Sequence, residues 1–104
     1  LHMAPAVEEY LVQLIIATRQ PSAYDAELAD WIEFGASPRA TIAIDRCARA
    51  NAWLSGREYV TPDDIQAVAM DCLKHRLIIG FEAEAAGVTS AKAVERLLAR
   101  VPVA

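Results

Sequence analysis

Residues 35–77 read GASPRATIAIDRCARANAWLSGREYVTPDDIQAVAMDCLKHRL, and their punctuation decides the fold. Ser37-Pro38 is a helix start: serine can cap free amides, and proline at the first helical position gives up a donor that had no partner. A long helix is expected over residues 38–54. Ser55-Gly56 stops it, glycine being able to take the left-handed conformation of a C-cap. Thr61-Pro62-Asp63-Asp64 is the clearest start in the chain, with a capping threonine, a proline at the first position and carboxylates in the first turn. The face of this second helix is Ile65, Val68, Ala69, Cys72 and Leu73. Lys74, His75 and Arg76 bring cations to its last turn, where the dipole prefers them, so it should stop near His75.

Working outward, residues 4–19 carry Val7, Tyr10, Leu11, Leu14, Ile15 and Ala17 at helical spacing, with Glu8 and Glu9 in the first turn. Gln20-Pro21-Ser22 breaks that helix, and a loop runs to about Asp25. Residues 27–34 fit a helical face through Leu28, Trp31 and Ile32, but Trp31-Ile32-Glu33-Phe34 before Gly35 also suits a short strand; an extended segment is preferred. Residues 76–84 (RLIIGFEAE) leave the helical period and are expected to pair with residues 31–34 as a minimal ribbon. After Gly87, Thr89 or Ser90 can cap a last helix through Val94, Leu97 and Leu98 that ends before Pro102. The expected fold is mainly α: a small bundle of about four helices with a short two-stranded ribbon.

Composition agrees. The chain has 104 residues, 55% of them hydrophobic and 23% charged, enough to bury one core. Ten basic against fourteen acidic residues, net charge -4, oppose a domain whose task is to neutralise a nucleic-acid backbone. The apolar runs fall well short of the ~20 residues of a membrane span, and no secretion signal opens the chain, so the cytoplasm is the expected compartment. Cys47 and Cys72 form no CxxC and have no histidine at ligand spacing; both read as buried thiols in a reducing compartment. Leu1-His2-Met3 resembles a cloning scar, leaving residues 4–104 as one domain.

Little in the chain can carry chemistry alone. Gly35, Gly56, Gly80 and Gly87 are too dispersed for GxxxxGK[ST] or GxGxxG, so no phosphate-cradling loop is present. Thr41-Ile42-Ala43-Ile44-Asp45 looks like an apolar strand ending in a metal-binding aspartate, but it lies inside the helix opened by Ser37-Pro38. His2 belongs to the tail, and His75 at a helix end reads as a capping group. The informative place is Ser37-Pro38-Arg39, where a guanidinium stands in the first turn of a helix whose dipole already favours an anion. From local physics alone the plainer reading, a solvated surface arginine, is preferred. With about 100° per residue, Arg39, Ile42, Arg46, Arg49 and Trp53 share one flank of this helix, while Ala40, Ala43, Ile44, Cys47 and Leu54 turn toward the core. That flank either docks on a partner or pairs with the chain's own carboxylates.

The segment quoted above resembles the lid of MoxR-type AAA+ ATPases, in which GASPR, a helix rich in Arg and Ala, GR-YVTP-DD and an HR pair follow in this order. The resemblance continues weakly through residues 82–87 to Val101-Pro102. It implies that Arg39 is the sensor 2 arginine, reaching the γ-phosphate of ATP bound in a preceding α/β domain, with Ser37 and Pro38 beside it, and so overturns the plainer reading of Arg39. It further implies that ATP and Mg are held by the parent protein and neither by this chain alone. The parent would be a ring-forming, hexameric, chaperone-like remodeller, with its own α/β domain and neighbouring subunits as partners and von Willebrand factor A domain proteins beside it. Arg46, Arg49 and Trp53 are the candidate interface. Two other classes compete: an independent helical module that dimerises like a histone fold, and a helix-turn-helix nucleic-acid binder, which the net charge disfavours.

Overall fold

The computed structural model describes residues 2–103. Its centre is the pair of helices that the caps mark out. Arg39–Leu54 (α3) and Pro62–Leu73 (α4) pack against each other along their lengths. The buried face of α3 is Ala40, Ile44, Ala48 and Ala52; that of α4 is Ile65, Ala69, Cys72 and Leu73. Alanine at so many of these positions lets the two backbones approach closely, and Ile44, Ile65 and Leu73, fully buried, each contribute about 1.5–3 kcal/mol of transfer free energy.

The stop and the restart between them behave as the sequence requires. Gly56 takes φ 80°, its N–H donates to Trp53 O and that of Arg57 reaches back to Ala52 O at 3.0 Å, the closing bonds of a Schellman end. Thr61 then forms a capping box with Asp64. Tyr59–Val60 (β3) in between pairs in parallel with His2–Met3 (β1). Two residues of the expected N-terminal tail therefore lie in a strand; Leu1 is outside the described residues.

Around the α3/α4 pair stand Pro5–Arg19 (α1) and Ser90–Arg100 (α6). Tyr10, Leu11 and Leu14 of α1 and Val94 and Leu97 of α6 complete one core. Thr89 caps α6, its hydroxyl accepting Lys92 N–H at 3.1 Å. Thr89→Ala is expected to cost about 1 kcal/mol, read as a drop in the urea midpoint with an unchanged slope.

Three expectations need correction. Residues 27–34 are not wholly extended: Ala26–Trp31 is a helix (α2) and only Ile32–Phe34 (β2) is a strand. The reason is Asp25, whose Oδ1 accepts Glu27 N–H and Leu28 N–H at 2.8 and 3.2 Å and so starts a helix where an extended segment was expected. On the other side of the ribbon, Ile78–Ile79 (β4) pairs with β2 as expected, the two running antiparallel, but Phe81–Ala85 turns back into a short helix (α5). Phe-Glu-Ala-Glu-Ala is rich in good helix formers, with carboxylates in the first turn. Finally, Leu54 and Cys47, assigned to the core, are exposed: the buried stripe runs through Ala48 and Ala52 instead, a modest rotation of the helix from the expected face. Six helices stand among the described residues, four of them of 11 residues or more.

Candidate functional site

The loop that leads into α3 is pinned to α1 through Thr18. Ala36 N–H donates to Thr18 Oγ1 at 3.0 Å, and the same hydroxyl donates to Ile15 O at 2.7 Å. Thr18, only 1% exposed, is thus satisfied on both sides and leaves no orphaned group. Gly35 passes so close to the α1 backbone that a Cβ there would lie 2.3 Å from Thr18 O. No side chain fits without the loop moving. Gly35→Ala is expected to cost about 2 kcal/mol through overpacking against a backbone that cannot yield, lowering the melting temperature by roughly 10 °C in a calorimetric scan.

Ser37, Pro38 and Arg39 follow, all exposed. The helix start differs in detail from the expected one. Pro38 occupies the cap position in helical conformation, α3 begins at Arg39, and the Ser37 side chain makes no cap. Instead Ser37 O and Pro38 O accept the N–H groups of Ala40 and Thr41 at 2.9 and 3.1 Å. Those two amides are engaged, so attraction for an anion here rests on the Arg39 guanidinium and the helix dipole. No hydrogen bond or ion pair holds Arg39 among the described residues, and its side chain can reach outward.

Beside it runs a groove lined by Arg19, Glu33, Gly35, Ala36 and Ser37. Arg19, at the last position of α1, is a second cation on the same surface that the sequence reading missed. Only the packing of Gly35 on Thr18 brings it there, and spacing along the chain carries no sign of that. Glu33 lines the same groove.

The basic flank of α3 is exposed as expected. Ile42 and Trp53 are 55% and 69% exposed, and Arg46 faces solvent. Arg49 donates to Asp45 Oδ1 at 2.9 Å, an i,i+4 pair of small energetic weight. Pairing with the chain's own carboxylates is thus seen at Arg49.

Two charged clusters were not foreseen. Asp64, 1% exposed, accepts both arms of the Arg57 guanidinium at 2.6 Å, Asn51 Nδ2 at 2.8 Å and Thr61 N–H at 2.8 Å. The Arg57 fork holds its carboxyl far below the usual carboxylate range; burial opposes this, and the Thr61 amide and Asn51 reinforce it. The signal was present in GREYVTPDD, where the capping-box spacing sets Asp64 three residues after Thr61, but nothing in it announces the Arg57 and Asn51 partners. At the other end, Arg96 and Arg100 converge on Asp25, and Arg96 lies 4.7 Å from the Trp31 ring centre. Burial would raise the Asp25 carboxyl, yet the Leu28 and Glu27 amides with Arg96 and Arg100 bring it below its ordinary value.

Residues 26–97 match the family described as the AAA lid domain. The chain is 37% identical over 97 residues to Chaperone MoxR1 of Mycobacterium tuberculosis, covering 92% of this chain and 26% of that protein. It is 39% identical over 83 residues to Protein MoxR of Paracoccus denitrificans, 75% of this chain and 24% of that one. A crystal structure of a proposed ATPase from Cytophaga hutchinsonii superposes with a TM-score of 0.93 at 41% identity, over 98% of this chain and 31% of that one. The chain thus spans about a quarter of the length of the curated relatives it matches. With a match over most of its length and the fold to go with it, the chain belongs to the AAA lid domain family and is homologous to the MoxR proteins.

Proposed function

We propose that this chain closes as a lid over ATP held by an α/β domain of a MoxR-type AAA+ ATPase, and that Arg39 senses the γ-phosphate. The observation that carries this reading is the placement of Arg39: exposed, first in a 16-residue helix, on a loop fastened to α1 through Gly35 and Thr18. Fastening matters because a sensor must transmit. A guanidinium on a rigid rod converts the presence of a terminal phosphate into an angle of the whole lid. In the transition state the same cation stabilises charge developing on the transferred phosphoryl group.

The residues present fit one contact with ATP and no more. Ser37 and Pro38 shape the approach, and Arg39 supplies the charge. Among the described residues no cluster of three or more His, Cys, Asp or Glu side chains could hold a metal ion, so the Mg that accompanies ATP would be held by the parent's α/β domain. Mg would there neutralise the phosphates. Hydrolysis belongs to that parent, which we read as a ring-forming, chaperone-like remodeller working in the cytoplasm, with von Willebrand factor A domain proteins as candidate partners. No described helix is long and apolar enough to cross a membrane. The flank of Arg46, Arg49 and Trp53 is the surface we assign to docking on the α/β domain or a neighbouring subunit.

The isolated chain separates sensing from folding. Arg39→Ala should leave its melting curve unchanged, within the ±0.5 kcal/mol or so of an ordinary surface substitution, while lowering ATP turnover in the full-length protein. A marked loss of stability in the isolated chain would mean that Arg39 holds the fold together, and would remove the reason to read it as a sensor.

A further inference from the structure

We infer that the open edge of β4 and the outer face of α5 form a docking groove for an extended segment of a partner protein, one in which apolar residues alternate with lysine or arginine. Among the described residues the ribbon consists of β2 and β4 alone, so the other edge of β4 is open to a third strand. A groove of about 470 Å³ adjoins it. Leu77, Ile78 and Ile79 line this groove from the strand side, Glu84, Val88 and Thr89 from α5 and the turn into α6. Ile32 and Glu33 of β2 do not line it, which places it on the open side. Leu77 and Val88 are nearly buried and give it an apolar floor, whereas Ile78 is 54% exposed. A second hollow, lined by Phe81, Glu84 and Ala85, joins the first through Glu84. Phe81, at the head of α5, is 86% exposed, more than any other large apolar side chain described.

Charge selects the occupant. No hydrogen bond or ion pair holds Glu82 or Glu84 among the described residues. The cations that flank the groove in sequence are engaged elsewhere. Lys92 and Arg96 lie 5.7 and 4.7 Å from the Trp31 ring centre, Arg96 also pairs with Asp25 and Glu27, and Arg76 donates to Cys72 O. The result is an apolar groove with an uncompensated negative rim. An extended segment sends successive side chains to opposite faces. Apolar residues on one face can meet Ile78, Val88 and Phe81 while a lysine or arginine between them reaches Glu84 on the rim. A second copy of this chain is the poorer occupant: pairing β4 with β4 about a two-fold axis would set two carboxylate rims against each other in chains of net charge -4. Neither hollow contains a residue of the Arg39 groove or of the α3 flank, so docking here does not depend on Arg39 meeting a phosphate.

The test is to select phage displaying short random peptides on the immobilised native chain, then to synthesise the enriched sequences and measure their binding by fluorescence anisotropy. Enriched peptides are expected to alternate apolar residues with Lys or Arg, and their binding should slow amide exchange at Ile78 and Ile79. Phe81→Ala should weaken binding at least about tenfold. Glu84→Lys should weaken it about fivefold and, used as the bait, should enrich acidic peptides instead. Both side chains are exposed, so neither change should move the melting temperature. The docking groove is overturned if selection enriches nothing, if the enriched peptides lack Lys and Arg, or if they bind the two variants as tightly as the native chain. It is equally overturned if β4 proves to be covered by a second copy, seen as a concentration-dependent dimer that Phe81→Ala dissolves.

Discussion

Replacing Asp64 by alanine should destabilise the chain by about 3 kcal/mol, an effect on the scale of breaking a buried ion pair, and lower its melting temperature by roughly 15 °C. Three things are lost together. The Arg57 fork loses the acceptor of both its arms, Asn51 loses a bond, and α4 loses the carboxylate of its capping box. Removing a complete buried pair can be neutral, but removing one partner leaves the other desolvated without compensation. Arg57 is 29% exposed, so water can reach it and the cost stays toward the low end of that range. Asp64→Asn should cost less, since an amide oxygen can still accept from Thr61 N–H. A melting temperature within a few degrees of the native chain would contradict this account of the α3/α4 turn.

The same carboxylate predicts an acid limb. Its folded-state pKa lies far below the ordinary value of about 3.9. The group therefore binds protons more readily in the unfolded chain, and its contribution is fully present above about pH 4 to 5 and fades as pH falls further. Asp25, also lowered, acts in the same direction. In the Asp64→Asn chain, stability followed between pH 5 and 3 should fall less steeply than in the native chain. Equal slopes would mean that Asp64 is not the group responsible.

How much of this was legible beforehand depended on range. The C-terminal end of α3 and the start of α4 are written locally, in Ser55-Gly56 and in Thr61-Pro62-Asp63-Asp64, because a cap is a contract between residues three or four apart. The ribbon was legible as a break in the helical period, and it pairs where expected. The segments that failed are those where two short signals overlap. Asp25 started α2 at the head of what looked like an extended segment, and Phe81-Glu82-Ala83 returned to helix after only two residues of strand. A helix of five or six residues has too few periods to be told from a strand by hydrophobicity.

Site residues divide in the same way. Arg39 stood out through its motif and its place beside a proline. Arg19 did not, because its presence at the groove depends on Gly35 lying against Thr18 across a sequence gap of 17 residues. The inward turn of Asp64 and not Asp63 follows the capping-box spacing, which puts Asp64 at N3 opposite Thr61; its meeting with Arg57 and Asn51 depends on how the turn folds. Cys47 was misplaced for a related reason: an ideal wheel put it on the core face, whereas the helix turned to pack Ala48.

The second large effect concerns Arg39. In the full-length protein, Arg39→Ala should lower steady-state ATP turnover by about 100-fold, the size of effect found when one preorganised charge donor is removed from a transition state. Arg39→Lys should recover only part of it, since an ammonium keeps the charge but not the planar fork that meets a phosphate with two bonds. Neither change should alter the fold, because Arg39 is exposed and no hydrogen bond or ion pair holds its side chain among the described residues. The most direct test of the lid account is therefore turnover and ATP affinity of the Arg39→Ala protein, measured beside the native protein at matched oligomeric state. The account predicts a large fall in turnover with assembly intact. Unchanged turnover and unchanged affinity in equally assembled protein would contradict it.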